Sequence, residues 1–112
     1  MYGEIKLNDP KGDTLTIPML ANAATPIRYK MLFQRDLLAG IVTSDGNFDT
    51  EVVSKLAFLM AKQAAKVDLT TLNIDQYVEW LEDFDSMAFI DNAQDILDLF
   101  IKSKNNTSKS KK

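Results

Sequence analysis

The carboxylates between Asp75 and Asp98 are the densest chemistry-bearing groups in the chain: eight acids and no lysine or arginine fall within residues 71–101. Clustered carboxylates can serve general acid–base catalysis or hold magnesium. Their spacing points elsewhere. Asp75, Glu79, Glu82 and Asp83 recur at helical intervals opposite an apolar stripe, and so do Asp91, Asp95 and Asp98. That is the pattern of a solvated helix face, which is also an acidic surface able to meet a basic partner. A second candidate is Asp45-Gly46-Asn47-Phe48-Asp49, with oxygen-bearing side chains at the first, third and fifth positions of a calcium loop. It fails further on, with Thr50 where the loop needs glycine and Leu56 where it needs glutamate. A turn leading into a helix cap is the reading that remains.

Other chemistry is excluded by composition. The chain has no histidine and no cysteine, so the commonest general base, the commonest metal ligand and thiolate nucleophiles are missing. The four glycines are scattered and form no phosphate-cradling loop. No catalytic, cofactor-binding or metal-ligating residue is assigned, and a non-enzymatic protein without cofactor is expected. The sharpest oddity is Phe58. It falls among Lys55, Lys62 and Lys66 on the polar side of a predicted helix. An aromatic ringed by polar groups is what a protein interface uses; a neighbouring element laid over it is the other reading. Trp80, at the edge of an apolar stripe beside Glu79, Glu82 and Asp83, reads as core but joins the interaction candidates. The lysines lack the interleaved aromatics of a single-strand binder, and no nucleic-acid role is predicted.

The elements that must position these residues are legible from periodicity. The length of 112 residues fits one domain, here 1–102, followed by a basic tail, 103–112, with nothing to bury and expected to be disordered. Residues 2–8 and 13–18 alternate as two strands around the turn Asn8-Asp9-Pro10-Lys11-Gly12, with Pro18 ending the second. A first helix is predicted from Thr25-Pro26, with Thr25 as N-cap, to Leu38–Ile41. It carries two stripes, Ile27/Met31/Leu38/Val42 and Tyr29/Phe33/Leu37. One stripe meets the core; the other needs a further partner. After a turn at Ser44–Asn47, a second helix runs from Thr50 to Val67, capped by Asp49 or Thr50, with Val53, Leu56, Met60, Ala64 and Val67 on its apolar face. The third opens at Asn73 with Gln76 as a capping box and presents Ile74, Tyr77, Val78, Leu81 and Phe84. The fourth, Ser86 to Lys102, presents Phe89, Ile90, Ala93, Leu97, Phe100 and Ile101. The fold class is therefore α+β, an N-terminal β-hairpin packed on about four helices. No targeting segment and no apolar run of membrane-spanning length is read, so a cytoplasmic protein without membrane contact is expected.

Three segments carry a resemblance: Ala24-Thr25-Pro26-Ile27-Arg28-Tyr29-Lys30 with Phe33, Lys55-Leu56-Ala57-Phe58-Leu59-Met60-Ala61, and Tyr77-Val78-Glu79-Trp80-Leu81-Glu82. In that order behind a hairpin they resemble the phage tail assembly chaperones of prophages in Gram-positive bacteria, over residues 2 to 101. The resemblance implies a protein of the bacterial host's cytoplasm that holds the tape measure protein soluble and extended, recruits tail tube subunits and is absent from the finished virion. It also implies self-association, and a longer frameshifted product for which a Lys-rich end such as Ser108–Lys112 would suit the short form. It brings no catalytic residues. The rival readings are a tail-completion or head–tail joining protein that stays in the particle, another small adaptor, and an enzyme built on carboxylates.

Overall fold

In the computed structural model, the described residues are 1–37 and 49–109, with side chains described as far as Ile101. A two-stranded antiparallel hairpin, β1 (Tyr2–Asn8) and β2 (Thr14–Leu20), opens the chain. Its register runs from Tyr2 opposite Leu20 to Asn8 opposite Thr14. The turn is built by Asp9, whose Oδ1 accepts from the Lys11 and Asp13 amides, both at 2.9 Å, while Gly12 takes the positive φ of 93° that closes it. The second strand does not stop at Pro18, which pairs with Glu4 inside it. In a two-stranded sheet each strand has a free edge, so a residue lacking an N–H costs the ladder nothing when its nitrogen faces outward. Ile5, Leu7 and Met19 point into the core. Leu99 packs closely on Gly3: a Cβ there would lie 2.9 Å from Leu99 Cδ1, so a larger residue would have to displace the end of that side chain.

Helix α1 spans Ala24–Phe33. Thr25 is not its N-cap. It sits fully buried in the first turn, where its Oγ1 accepts from the Asn22 amide and from Gln63 Nε2, each at 3.0 Å. The N-cap position is Ala23, which has no capping side chain, and Asn22 just before it accepts from the Ala24 amide through Oδ1 at 2.9 Å. The helix also ends earlier than predicted. Gln34 turns left-handed at φ 61° and returns its N–H to the Lys30 carbonyl. Of the two stripes, Tyr29, Phe33 and Leu37 are the buried one. Leu38 and Val42, the turn at Ser44–Asn47 and the first four residues of the calcium-like run lie outside the described residues.

Helix α2 (Thr50–Ala65) is capped by Asp49, as expected, through the Glu51 and Val52 amides. It ends at Lys66 in the left-handed conformation, φ 58°. A single 3₁₀ turn, Leu69–Thr71, leads to α3 (Ile74–Leu81), whose start is the predicted capping box: Asn73 Oδ1 accepts from Gln76 N and Gln76 Oε1 from Asn73 N. The predicted fourth helix is two helices, α4 (Ala88–Asp91) and α5 (Ala93–Lys109), broken at Asn92, whose side-chain amide donates to the Ala88 carbonyl. The break shifts the register. Ile90 and Ile101 are exposed, and Ile96 and Leu99 join Phe89, Ala93 and Leu97 in the core. The tail expected to be disordered, 103–112, has its side chains, and at 110–112 its backbone, outside the described residues.

Most of the described elements lean on α2. The β2 strand, α1, α3, α4 and α5 all pack against it, while β1 is backed by α4 and α5. The polar junction of this packing is Gln63. It is almost fully buried, donates to the Leu20 carbonyl at 2.6 Å and to Thr25, and accepts from Arg28 Nη1 at 3.0 Å. Replacing Gln63 by the similarly sized but apolar Met strands a carbonyl, a hydroxyl and a guanidinium at once. Gln63→Met should lower unfolding free energy by about 2–3 kcal/mol in urea titration, where a surface Gln94→Met change should be near neutral.

Candidate protein-binding surface

The eight residues singled out in the sequence do not form one patch. Phe58 is the clear correction. It is fully buried and therefore is not an exposed anchor. Helix α3 lies across the side of α2 that carries the lysines, and its Tyr77 and Trp80 meet the Phe58 ring edge-on at 5.6 Å. Lys62 Nζ caps the same ring, 5.6 Å from its centroid. Lys55 is spent within the fold as well: its ammonium pairs with Glu51 at 2.7 Å and lies 5.2 Å from the Phe33 centroid. Lys66 is exposed at the helix end. A neighbour lying over Phe58 is thus the reading that holds.

The remaining candidates do come together. Lys62, Glu79, Trp80 and Asp83 line one cleft with Val67, Asp68 and Leu72. Glu82 lies on the other side of Trp80, in a shallow cleft shared with Asp83 and the hairpin turn. Trp80 is half-buried between them, in ring contact with Phe58, Phe84 and Phe89. Its role is structural first, joining α2, α3 and α4. Both clefts are rimmed by acids, which agrees with the solvated acidic face expected for α3.

A more apolar opening lies on the opposite flank of α3. Met31 and Leu32 from α1, Leu59 from α2, Leu69 and Leu72 from the 3₁₀ segment, and Ile74 from α3 line a groove of about 490 Å³. Of the exposed apolar pairs on the two helices, Met31 and Ile74 line it, Ile27 and Val78 do not. Ile27 and Met31 stand four residues apart on α1 at 62% and 71% exposure, and Ile74 and Val78 four apart on α3 at 47% and 49%. A four-residue spacing puts both members of each pair on one face. The sequence flagged half of this. That one of the two α1 stripes needs a further partner was legible, though not which, whereas Ile74 and Val78 were assigned to the core. They miss it because α3 turns Tyr77, Leu81 and Trp80 onto α2, and an eight-residue helix cannot bury its shoulder on the same support.

Two phenols sit behind this groove, joined ring to ring through Phe33. Burial, and then the Glu51 carboxylate, push the Tyr29 hydroxyl up to about 12. Burial raises Tyr77 too, opposed by its 2.6 Å hydrogen bond with Ser54. Neither faces a group it could activate. Asp68 is lowered by hydrogen bonds from Thr70, as an ordinary helix cap. Among the described residues no cluster of carboxylates could hold a metal ion, and no helix is long and apolar enough to cross a membrane.

No family model, no curated protein and no solved structure matches the chain. The surface is therefore interpreted on its own chemistry, which is apolar contact and charge.

Two outcomes follow from this geometry. Phe58→Ala should cost about 3–5 kcal/mol of stability in urea unfolding, as a core aromatic does, and Met31→Ala well under 1 kcal/mol. The raised phenols also give a pH signature. A group whose pKa is higher when folded contributes stability that is complete below its unfolded value near 10 and is lost as pH climbs through the folded one. Unfolding free energy should fall between about pH 10 and 12, and Tyr29→Phe should flatten that fall, followed by denaturant titration at each pH.

Proposed function

We propose that this chain is a phage tail assembly chaperone, binding the tape measure protein to keep it soluble and recruiting tail tube subunits during tail formation. The observation that carries the reading is the apolar groove, with exposed apolar pairs on the helices beside it, on a chain whose described residues hold no constellation for making or breaking bonds. A chaperone of an elongated client needs apolar contact without chemistry, presented by many small copies. The first segment of the family resemblance gives Arg28 to the lining of the groove. The second segment, Lys55–Ala61, belongs to the buried helix and gives Leu59 to the same lining.

The working sequence is physical. A hydrophobic stretch of the client buries its side chains against Met31, Leu32, Leu72 and Ile74, which removes apolar area from water on both partners and is favourable by about 25 cal/mol per Å² before ordering costs. Acidic residues on the outer face of α3 keep the loaded complex soluble and repel other copies of the same face.

Co-expression with the tape measure protein encoded in the same gene cluster tests the function. The client should be largely soluble with the wild-type chain and largely insoluble alone. Met31→Glu/Val78→Glu, which places charges on both helices without touching the core, should return it to the pellet while the chain itself stays folded by circular dichroism. Equal client solubility with and without the chain would remove the assignment.

A further inference from the structure

The hairpin leaves one strand edge open, and its hydrogen bonds show which residues face outward there. Met1 and Ala21 exchange both of their backbone bonds, and the Asp9 amide donates to the Asp13 carbonyl at 2.8 Å. Bonded and non-bonded pairs alternate along an antiparallel ladder. The odd positions of β1 therefore bond to β2, and the even ones turn their N–H and C=O away from it. Two further observations agree. Asn8, an even residue, gives its carbonyl to the Asp85 amide at 2.8 Å, and Pro18, which has no N–H, stands opposite Glu4. Tyr2, Glu4 and Lys6 thus hold out their backbone donors and acceptors in a row, with no partner among the described residues. The outer edge of β2 is a poorer template, since Pro18 interrupts its donors and Gln63 takes the Leu20 carbonyl. Beside the β1 edge runs a cleft of about 400 Å³, walled by residues 1–6 and by Asp95, Asp98 and Leu99 of α5. Its side-chain charges are Glu4, Asp95 and Asp98 against Lys6, while the Met1 amine is held by the Ala21 carbonyl. Asp98 accepts from Gln94 at 2.7 Å. Among the described residues no lysine or arginine pairs with Asp95 or Asp98.

We propose that this edge takes an extended segment of a partner protein as a third strand, its main chain bonded to Tyr2, Glu4 and Lys6 and its lysine or arginine side chains over Asp95 and Asp98. The surface is separate from the groove between α1 and α3 and does not rest on the chaperone assignment. In strand addition the main chain supplies affinity and alternate side chains supply specificity. Side chains of the added strand opposite Tyr2, Glu4 and Lys6 share their solvent face. Those opposite Gly3 and Ile5 turn toward α5, where Leu99 packs on Gly3. A lysine at such a position lays its stem along the cleft and brings its ammonium to the two carboxylates. A second copy of this chain fits less well. The two-fold register that uses all three open residues sets Glu4 against its own mate, like charge against like. Centring on Ile5 instead aligns Glu4 with Lys6, but it sets the copy's Tyr2 opposite Asn8, where Asp85 already holds the carbonyl.

The probes are two short blocked peptides in which threonine alternates with a second residue, lysine in one and glutamate in the other. Each is titrated into the full ¹⁵N-labelled chain, and hydrogen exchange is followed at the Tyr2, Glu4 and Lys6 amides. The lysine peptide should slow exchange at these amides about tenfold and bind about tenfold more tightly than the glutamate peptide. N-methylation at its threonine amides, which face β1 when the lysines face α5, should abolish binding. N-methylation at its lysine amides, which face away, should leave binding intact. In Asp95→Lys/Asp98→Lys, with the fold checked by circular dichroism, the glutamate peptide should become the preferred one. Equal binding of the two peptides, or binding that survives methylation of the threonine amides, would overturn the proposal. The chain alone tests the rival occupants. Protection of the three amides that grows with concentration would give the edge to a second copy, and protection at every concentration would give it to the chain's own lysine-rich end; either result overturns the proposal.

Discussion

The structure depends on a helix that has no outside. Along α2, Val53, Ser54, the run Leu56–Ala61 and Gln63 are all buried, so the apolar surface wraps the cylinder instead of forming a stripe. A helix of that kind is stable only when other elements surround it, and a short chain has few to spare. The hairpin covers one side through β2, α1 a second, α3 and α4 a third, and α5 a fourth. The outer elements are thus a single layer thick. Among the described elements, β2, α1, α3, α4 and α5 each have a face on α2. Apolar residues beyond the contact width of α2 stay in water, and Ile27, Met31, Ile74, Val78 and Ile90 are where that happens.

Polar groups trapped by this arrangement are paired with care. Ser54 bonds Tyr77, and Gln63 links Thr25, Leu20 and Arg28. No buried side-chain nitrogen or oxygen among the described residues lacks a partner. An unsatisfied polar group next to a fully buried helix costs more than the bond itself returns, so these contacts fix the angle at which α1 and α3 approach α2. The groove between those two helices inherits its width from them. The aromatic chain from Tyr29 through Phe33, Tyr77 and Phe58 to Trp80 stiffens the same region, with each ring meeting the next at an angle, as quadrupoles prefer.

How much of this could be read beforehand divides along local and non-local lines. The hairpin, the Asp49 cap and the Asn73/Gln76 capping box are written in adjacent residues and were legible. So was the choice between stripes on α1 as a question, though not its answer. The missed features turn on distant partners. Thr25 has the right chemistry for a cap, yet Gln63, 38 residues away, recruits its hydroxyl. Pro18 signals an end only if its strand is flanked on both sides, which a two-stranded sheet does not do. Asn92 sits in a helical pattern that periodicity alone continues through. Phe58 was placed correctly on the lysine side of α2; what single-helix reasoning lacks is that α3 would lie over that side, turning lysines from solvated charges into caps on aromatic faces.

The same reasoning explains why the candidate surface formed where the sequence pointed least. A search for an anchor favours an aromatic in a polar setting, because that combination is costly unless used. In a one-layer shell it is the aromatics that win the competition for α2, since they remove the most area from water per residue. The branched and thioether side chains at the shoulders are left outside. Ile, Val and Met at four-residue spacing cost little when exposed as isolated pairs. Met31 and Ile74 from these pairs meet Leu32, Leu59, Leu69 and Leu72 in one apolar opening, the kind of feature that marks an interaction site. The opening between α1 and α3 is then a consequence of how few of the described elements surround a largely buried helix, and a further layer over α1 and α3 would remove it.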